Sequence, residues 1–162
     1  MAIKENTIKI NKMKKIIVSL VIMILIFGCA LESKFGLPSN EKANQDLIGV
    51  WLSMDKPADT IFIETLGEKR YKIYDKEGGQ IGYSTTIKGH HILNIVSEYE
   101  GEEVNIFYGF DIKNDTVQFF EVNEKLKKHD FNSQAELIDF FNENIERPDF
   151  FVSPFSLIRK PE

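Results

Sequence analysis

From residue 46 onward, turn-forming residues return at intervals of about a dozen positions, and that rhythm limits the chain to short strands. Gly67 stands in Leu66-Gly67-Glu68, followed by the Gly78-Gly79 pair, Gly89 after Lys88, Gly101 between two glutamates, and Asn114 in Lys113-Asn114-Asp115. The segments between them are rich in Ile, Val, Tyr, Phe and Thr, and each connection is too short for a crossover helix, so neighbours must pair as antiparallel hairpins. Alternation is clearest where Val104, Ile106, Tyr108 and Phe110 oppose Asn105, Phe107, Gly109 and Asp111. Strands are predicted near 47–53, 59–65, 69–75, 80–87, 91–99, 103–111, 115–122 and 155–160. Eight strands are about the number that closes a small barrel and removes unpaired edges. One helix interrupts the meander: Ser133-Gln134-Ala135-Glu136 is a capping box, Leu137, Ile138, Phe140, Phe141 and Ile145 form an apolar stripe, and Pro148 follows. The expected fold is mainly β, an eight-stranded antiparallel up-and-down barrel with one helix before the last strand.

The first 28 residues belong to a different kind of segment. Lys14 and Lys15 precede Ile16 to Phe27, in which only Ser19 is polar, and Gly28 stands directly before Cys29, the sole cysteine. Twelve apolar residues span about 18 Å as a helix, short of a hydrocarbon core of about 30 Å. The run Ile26-Phe27-Gly28-Cys29 resembles the lipobox of bacterial lipoproteins. The resemblance implies cleavage between Gly28 and Cys29 and acylation of the Cys29 thiol with palmitate-type chains. It implies a location on the outer side of the cytoplasmic membrane, or in the outer membrane facing the periplasm. The competing reading is an uncleaved signal-anchor, since Ala30 and Leu31 extend the apolar run. Met13, within Lys12-Met13-Lys14-Lys15, offers an alternative start. The expected organisation is a signal peptide over 1–28, a lipidated tether over 29–45 and a barrel domain over 46–162. Glu32, Ser33, Lys34, Gly36, Pro38, Ser39 and Asn40 break any periodic pattern in the tether.

Removing residues 1–28 takes away five basic and one acidic side chain and leaves 134 residues with 15 basic and 24 acidic groups, a formal charge of −9. Such a surface is a poor match for nucleic acid or anionic lipid headgroups. With its only cysteine lipidated, the domain has no internal disulfide and must draw its stability from an apolar core.

Leu47-Ile48-Gly49-Val50-Trp51 resembles the first-strand motif of lipocalins and their calycin relatives, a Gly-x-Trp after an apolar pair. In that family the tryptophan closes one end of the barrel beneath a basic residue from the last strand region. The residue matching that role is Arg159. The likeness is to small bacterial lipocalin-like lipoproteins and covers about residues 46 to 160. It departs from the family pattern in placing the helix before the last strand instead of after the barrel. It implies structural roles for Gly49, Trp51 and Arg159 and reveals no ligand.

Tests for chemistry give no catalytic residues, no metal site and no cofactor. His90 and His91 are adjacent, so on a strand they point to opposite faces, and His129 adds no zinc-type spacing. Glu98, Glu100, Glu102 and Glu103 around Gly101 lack EF-hand spacing. There is no Gly-x-Ser-x-Gly elbow and no phosphate loop. Lys125, Lys127, Lys128 and His129 form a short basic patch that could touch membrane phosphates but reads better as a solvated connector. The expected function is therefore non-enzymatic: a membrane-anchored envelope lipoprotein holding a small apolar ligand among Tyr71, Tyr83, Tyr108 and Phe110. The alternative is an interaction lipoprotein with a side-chain-filled barrel that binds an envelope protein, with Phe107, Phe120 and Phe151 as candidates for an exposed apolar patch.

Overall fold

The computed structural model describes residues 30–55 and 59–161; Gly28 and Cys29, with the rest of the amino-terminal segment, lie outside the described residues. Nine strands are described: β1 (Glu32–Ser33), β2 (Gly49–Ser53), β3 (Thr60–Leu66), β4 (Arg70–Tyr74), β5 (Gly79–Ile87), β6 (His90–Tyr99), β7 (Glu102–Lys113), β8 (Thr116–Val122) and β9 (Phe151–Arg159). Strands β2 to β9 form one antiparallel sheet in sequence order, and β9 pairs with both β8 and β2, so the sheet closes into an eight-stranded barrel. Among the described residues one α-helix, α1 (Gln134–Asn144), lies between β8 and β9 as the sequence predicts. The hairpins turn where glycine allows them to: Lys88-Gly89 and Glu100-Gly101 both have positive φ, the two-residue turn whose twist matches its flanking strands. At α1 the Ser133 hydroxyl accepts from the Glu136 N–H (3.2 Å), and the Glu136 carboxylate accepts from the Asn132 N–H (2.9 Å).

The core has two compartments separated by the barrel wall. Inside lie Trp51, Ile63, Tyr71, Leu93, Ile95, Tyr108, Phe110, Val117, Phe119 and Leu157. Outside, over β5 to β7, α1 packs Leu137, Phe140 and Phe141 against Ile92 and Phe107, with the Phe141 ring edge-on to Phe107 at 5.4 Å. Phe107 is therefore fully buried and belongs to no exposed patch, while Phe120 and Phe151 are half-buried and in contact with each other at 6.0 Å.

The segment expected to be a tether is part of the barrel. Ala30, Leu31, Leu37 and Ala43 are 0–5 % exposed. Strands β7 and β8 pair only from Tyr108 and Glu121 to the Lys113–Thr116 turn. Beyond that point Leu31 enters the gap. Its N–H donates to the Val122 carbonyl (3.0 Å) and its carbonyl accepts from the Phe107 N–H (3.3 Å), while β1 pairs with β7 and Ala30 bridges Asn123. The chain then crosses the outer wall. Leu37 donates its N–H to Asn94 Oδ1 (3.0 Å), and the Tyr83 and Thr85 hydroxyls donate to the Leu37 and Pro38 carbonyls (2.7 and 2.6 Å). Residues 30–45 thus belong to the folded unit, which was expected to begin near Asp46. Residues 30–45 lack a regular apolar period because each of their anchors meets a partner far away in sequence.

Truncating a fully buried leucine leaves a cavity and costs about 2–5 kcal/mol. Leu31→Ala is expected to lower the unfolding free energy by that amount and with it the urea midpoint, measured by circular dichroism on the unacylated chain. A free tether would leave the midpoint where it is.

Candidate functional site

The two ends of the barrel differ. At the end where β2 begins, Asn44 caps a 3-10 turn over Gln45–Leu47, and Leu47 is completely buried. Trp51 faces inward beneath it and donates its Nε1–H to the Leu47 carbonyl (2.9 Å). Because first and last strands are neighbours in a closed sheet, Trp51 stands opposite Arg159. The guanidinium carbon lies 4.3 Å from the ring centroid of Trp51, while Nη1 and Nη2 donate to the Ile48 and Asp46 carbonyls (2.8 and 2.7 Å). Gly49 has φ +151°, and a Cβ there would run into the Arg159 guanidinium, so the glycine makes room for the stack. The structure brings Gly49, Trp51 and Arg159 together at this closed end.

Within the barrel, Tyr71, Tyr108 and Phe110 point inward and expose 0, 2 and 2 % of their surfaces. The Tyr71 hydroxyl shares a hydrogen bond with Ser84 Oγ (2.9 Å) and accepts from the Asn44 N–H (2.6 Å), which ties the interior to the cap. Tyr83 is not among them. Gly82 stands opposite Tyr71 on the inner face, so Tyr83, one residue on, faces outward under the Leu37 strap. The four residues expected to line one cavity therefore divide between the two faces of the wall.

At the other end, inner-face Ile61, Ile73, Ile106 and Phe155 remain partly exposed. Two carboxylates share that inner face. Glu121, 8 % exposed, stands directly opposite Tyr108, and exposed Glu32 stands opposite Ile106. Burial raises the Tyr108 phenol well above its ordinary range, and the charges of Glu121 and then Glu32 push the same way. Neither carboxylate carries a local sequence signal, because both acquire an inward orientation only through the register of β1 and β8 with β7.

The three imidazoles make separate contacts. His90 lies 3.7 Å from Glu146 on the outer side, His91 stacks near Phe110 and meets Thr86, and His129 bonds to the Asp130 carbonyl. Thr86 Oγ1 touches both Glu41 Oε2 (2.9 Å) and His91 Nδ1 (3.2 Å). This places the hydroxyl between carboxylate and imidazole, whereas a nucleophilic triad needs the imidazole in the middle. Among the described residues no group of three or more His, Cys, Asp or Glu is arranged to hold a metal ion, and no helix is long and apolar enough to cross a membrane. No family model, curated protein or solved structure matches the chain.

Two measurements probe this arrangement. Arg159→Met removes the cation over Trp51 and two donors to backbone carbonyls, and is expected to cost about 1–3 kcal/mol in urea unfolding. Burial pushes the Tyr83 phenol up to about 12, with Glu103 adding to the shift and Arg70 opposing it. The unfolded chain, with its phenols near the ordinary value of 10.0, releases this proton first. Stability from the neutral buried phenol is therefore complete below that value and lost as pH climbs towards about 12. Tyr83→Phe is expected to flatten the alkaline limb of a stability–pH curve. An unchanged slope would show that the phenol titrates alike in both states.

Proposed function

We propose that this chain is a non-enzymatic lipoprotein of the bacterial cell envelope. Acyl chains on Cys29 hold it at the membrane, and its barrel is a rigid, side-chain-filled body that offers its outer surface to an envelope protein. The lipobox-like Ile26-Phe27-Gly28-Cys29 and the Gly49-x-Trp51 motif support the class, a small lipocalin-like lipoprotein. Burial inside the wall carries the choice of a filled body. An internal void large enough for water would leave uncovered surface on the side chains that line it. Trp51 and Tyr71 at 0 %, with Tyr108 and Phe110 at 2 %, therefore leave almost no such void beside them. Nucleic acid is a poor match for the acidic domain.

A second reading draws on the open end. There the partial exposure of Ile61, Ile73, Ile106 and Phe155 leaves a shallow apolar rim above the filled floor, on which the apolar part of a small ligand could sit. Native mass spectrometry separates the two readings. The sample is the chain from residue 29 with Cys29→Ser, which retains Leu31 and Leu37, incubated with an extract of its own cell envelope. A bare protein mass is expected. A discrete small-molecule adduct released by denaturation would replace the filled-body reading with the ligand-holding one.

A further inference from the structure

We propose that the surface from Asn123 to Lys128, together with Lys34, is the face that lies against lipid headgroups, and that the barrel is held to the membrane with no spacer. The proposal rests on the reading of Cys29 as the lipidated residue. A sixteen-residue flexible tether would give the domain a reach of roughly 20–24 Å from its anchor. The folded chain removes that slack. Ala30 is 3 % exposed and bridges Asn123, and Leu31 is hydrogen-bonded on both sides within the wall. Consecutive Cα atoms are about 3.8 Å apart, so the acylated residue stands within one peptide unit of the barrel itself. The lipid must leave the protein at the corner where β8 ends.

The charge at that corner is a separate observation. The domain as a whole is acidic, yet Lys125 and Lys128 are exposed in the turn that follows Asn123. Lys127 is held by Asp130 at 2.8 Å, and Lys34 acts on the same carboxylate from the strand side. The turn and Lys34 thus bring four lysines against two carboxylates, Glu124 and Asp130; Asp149, whose carbonyl accepts from Asn123, is paired with Arg147, and Glu32 and Glu121 stand on the inner face, so the outer side of the corner is cationic. Cations beside an anionic headgroup layer are attracted to it, and carboxylates are repelled. Glu98, Glu100, Glu102 and Glu103, on the β6–β7 hairpin that extends past the end of β8, are all exposed. Repulsion turns that hairpin aside, so the barrel leans with the Asn123–Lys128 turn against the surface. The Gly49–Trp51–Arg159 cap points away from it.

The test uses the full chain, acylated in a bacterial host and reconstituted into vesicles of phosphatidylethanolamine and phosphatidylglycerol. With the Cys29 thiol consumed by lipid, a single introduced cysteine takes an environment-sensitive fluorophore. The positions are Glu124→Cys at the proposed face, and Asn114→Cys and Glu68→Cys at the capped end. A spin label on lipid headgroups quenches only nearby dyes. The ends of a seven-residue strand are roughly 20 Å apart, so quenching at 124 is expected to exceed that at 114 and 68 by about threefold or more. Equal quenching on a protein whose amino-terminal peptide carries acyl chains on Cys29 would overturn the membrane face and leave the lipoprotein reading standing. A peptide mass without acyl chains would overturn both.

Discussion

The β7–β8 seam depends on Leu31. These two strands share hydrogen bonds only from Tyr108 and Glu121 to their turn. Past that point the wall would present unpaired N–H and C=O groups, the edge that a closed barrel otherwise eliminates. Leu31 supplies a donor to Val122 and an acceptor to Phe107, and its side chain enters the outer core beside Leu137 and Phe141. The segment it opens then holds the outer wall through Leu37 and Pro38. The same segment ends in the Asn44–Leu47 cap over Trp51. Seam, outer cover and cap are consecutive stretches of one strap, so loosening the first weakens what holds the others.

The eight barrel strands were legible because their signals are local. A left-handed turn at Lys88-Gly89 or Glu100-Gly101 is written in two residues, and alternation along β7 needs only the strand itself. The helix was legible for the same reason, since Ser133 and Glu136 make its cap within one turn. The strap was not. Its composition is that of a linker, and what makes it structural lies elsewhere: Asn94, fifty-seven residues on from Leu37, and Tyr83, forty-six residues on. Asn94 and Asn105, bonded to each other and nearly fully buried, have the residue type of solvent-facing strand positions. They become intelligible once a backbone crossing above them needs partners.

The closed end was legible and the interior was not, and the difference is one of parity. The likeness to the lipocalin first-strand motif is what pointed to Trp51 and Arg159, and they meet because closure makes β2 and β9 neighbours. Deciding which of Gly82 and Tyr83 faces inward needs the register, and an aromatic residue invites the wrong answer. Tyr71 and Leu93 already fill the space beside β5, so its inner face carries Gly82 and Ser84. Tyr83 is large because it reaches a carbonyl on the outside, where the strap covers it. A period of two can be right along a strand while the side assigned to one residue is wrong.

The open end constrains any occupant more sharply than its apolar rim suggests. Glu121 and Glu32 project on the inner face beside Tyr108, and both charges already resist ionisation of that phenol. The carboxylate of a fatty acid, lowered towards Tyr108, would meet the same repulsion in surroundings where burial weakens solvent screening. An anionic headgroup is thus disfavoured whether it arrives on a free lipid or on a membrane phospholipid. A neutral or cationic group above an apolar contact of a few side chains is the chemistry this mouth tolerates. The positive charge of this end lies outside the barrel instead, on Lys125, Lys127 and Lys128 of the turn that follows Asn123.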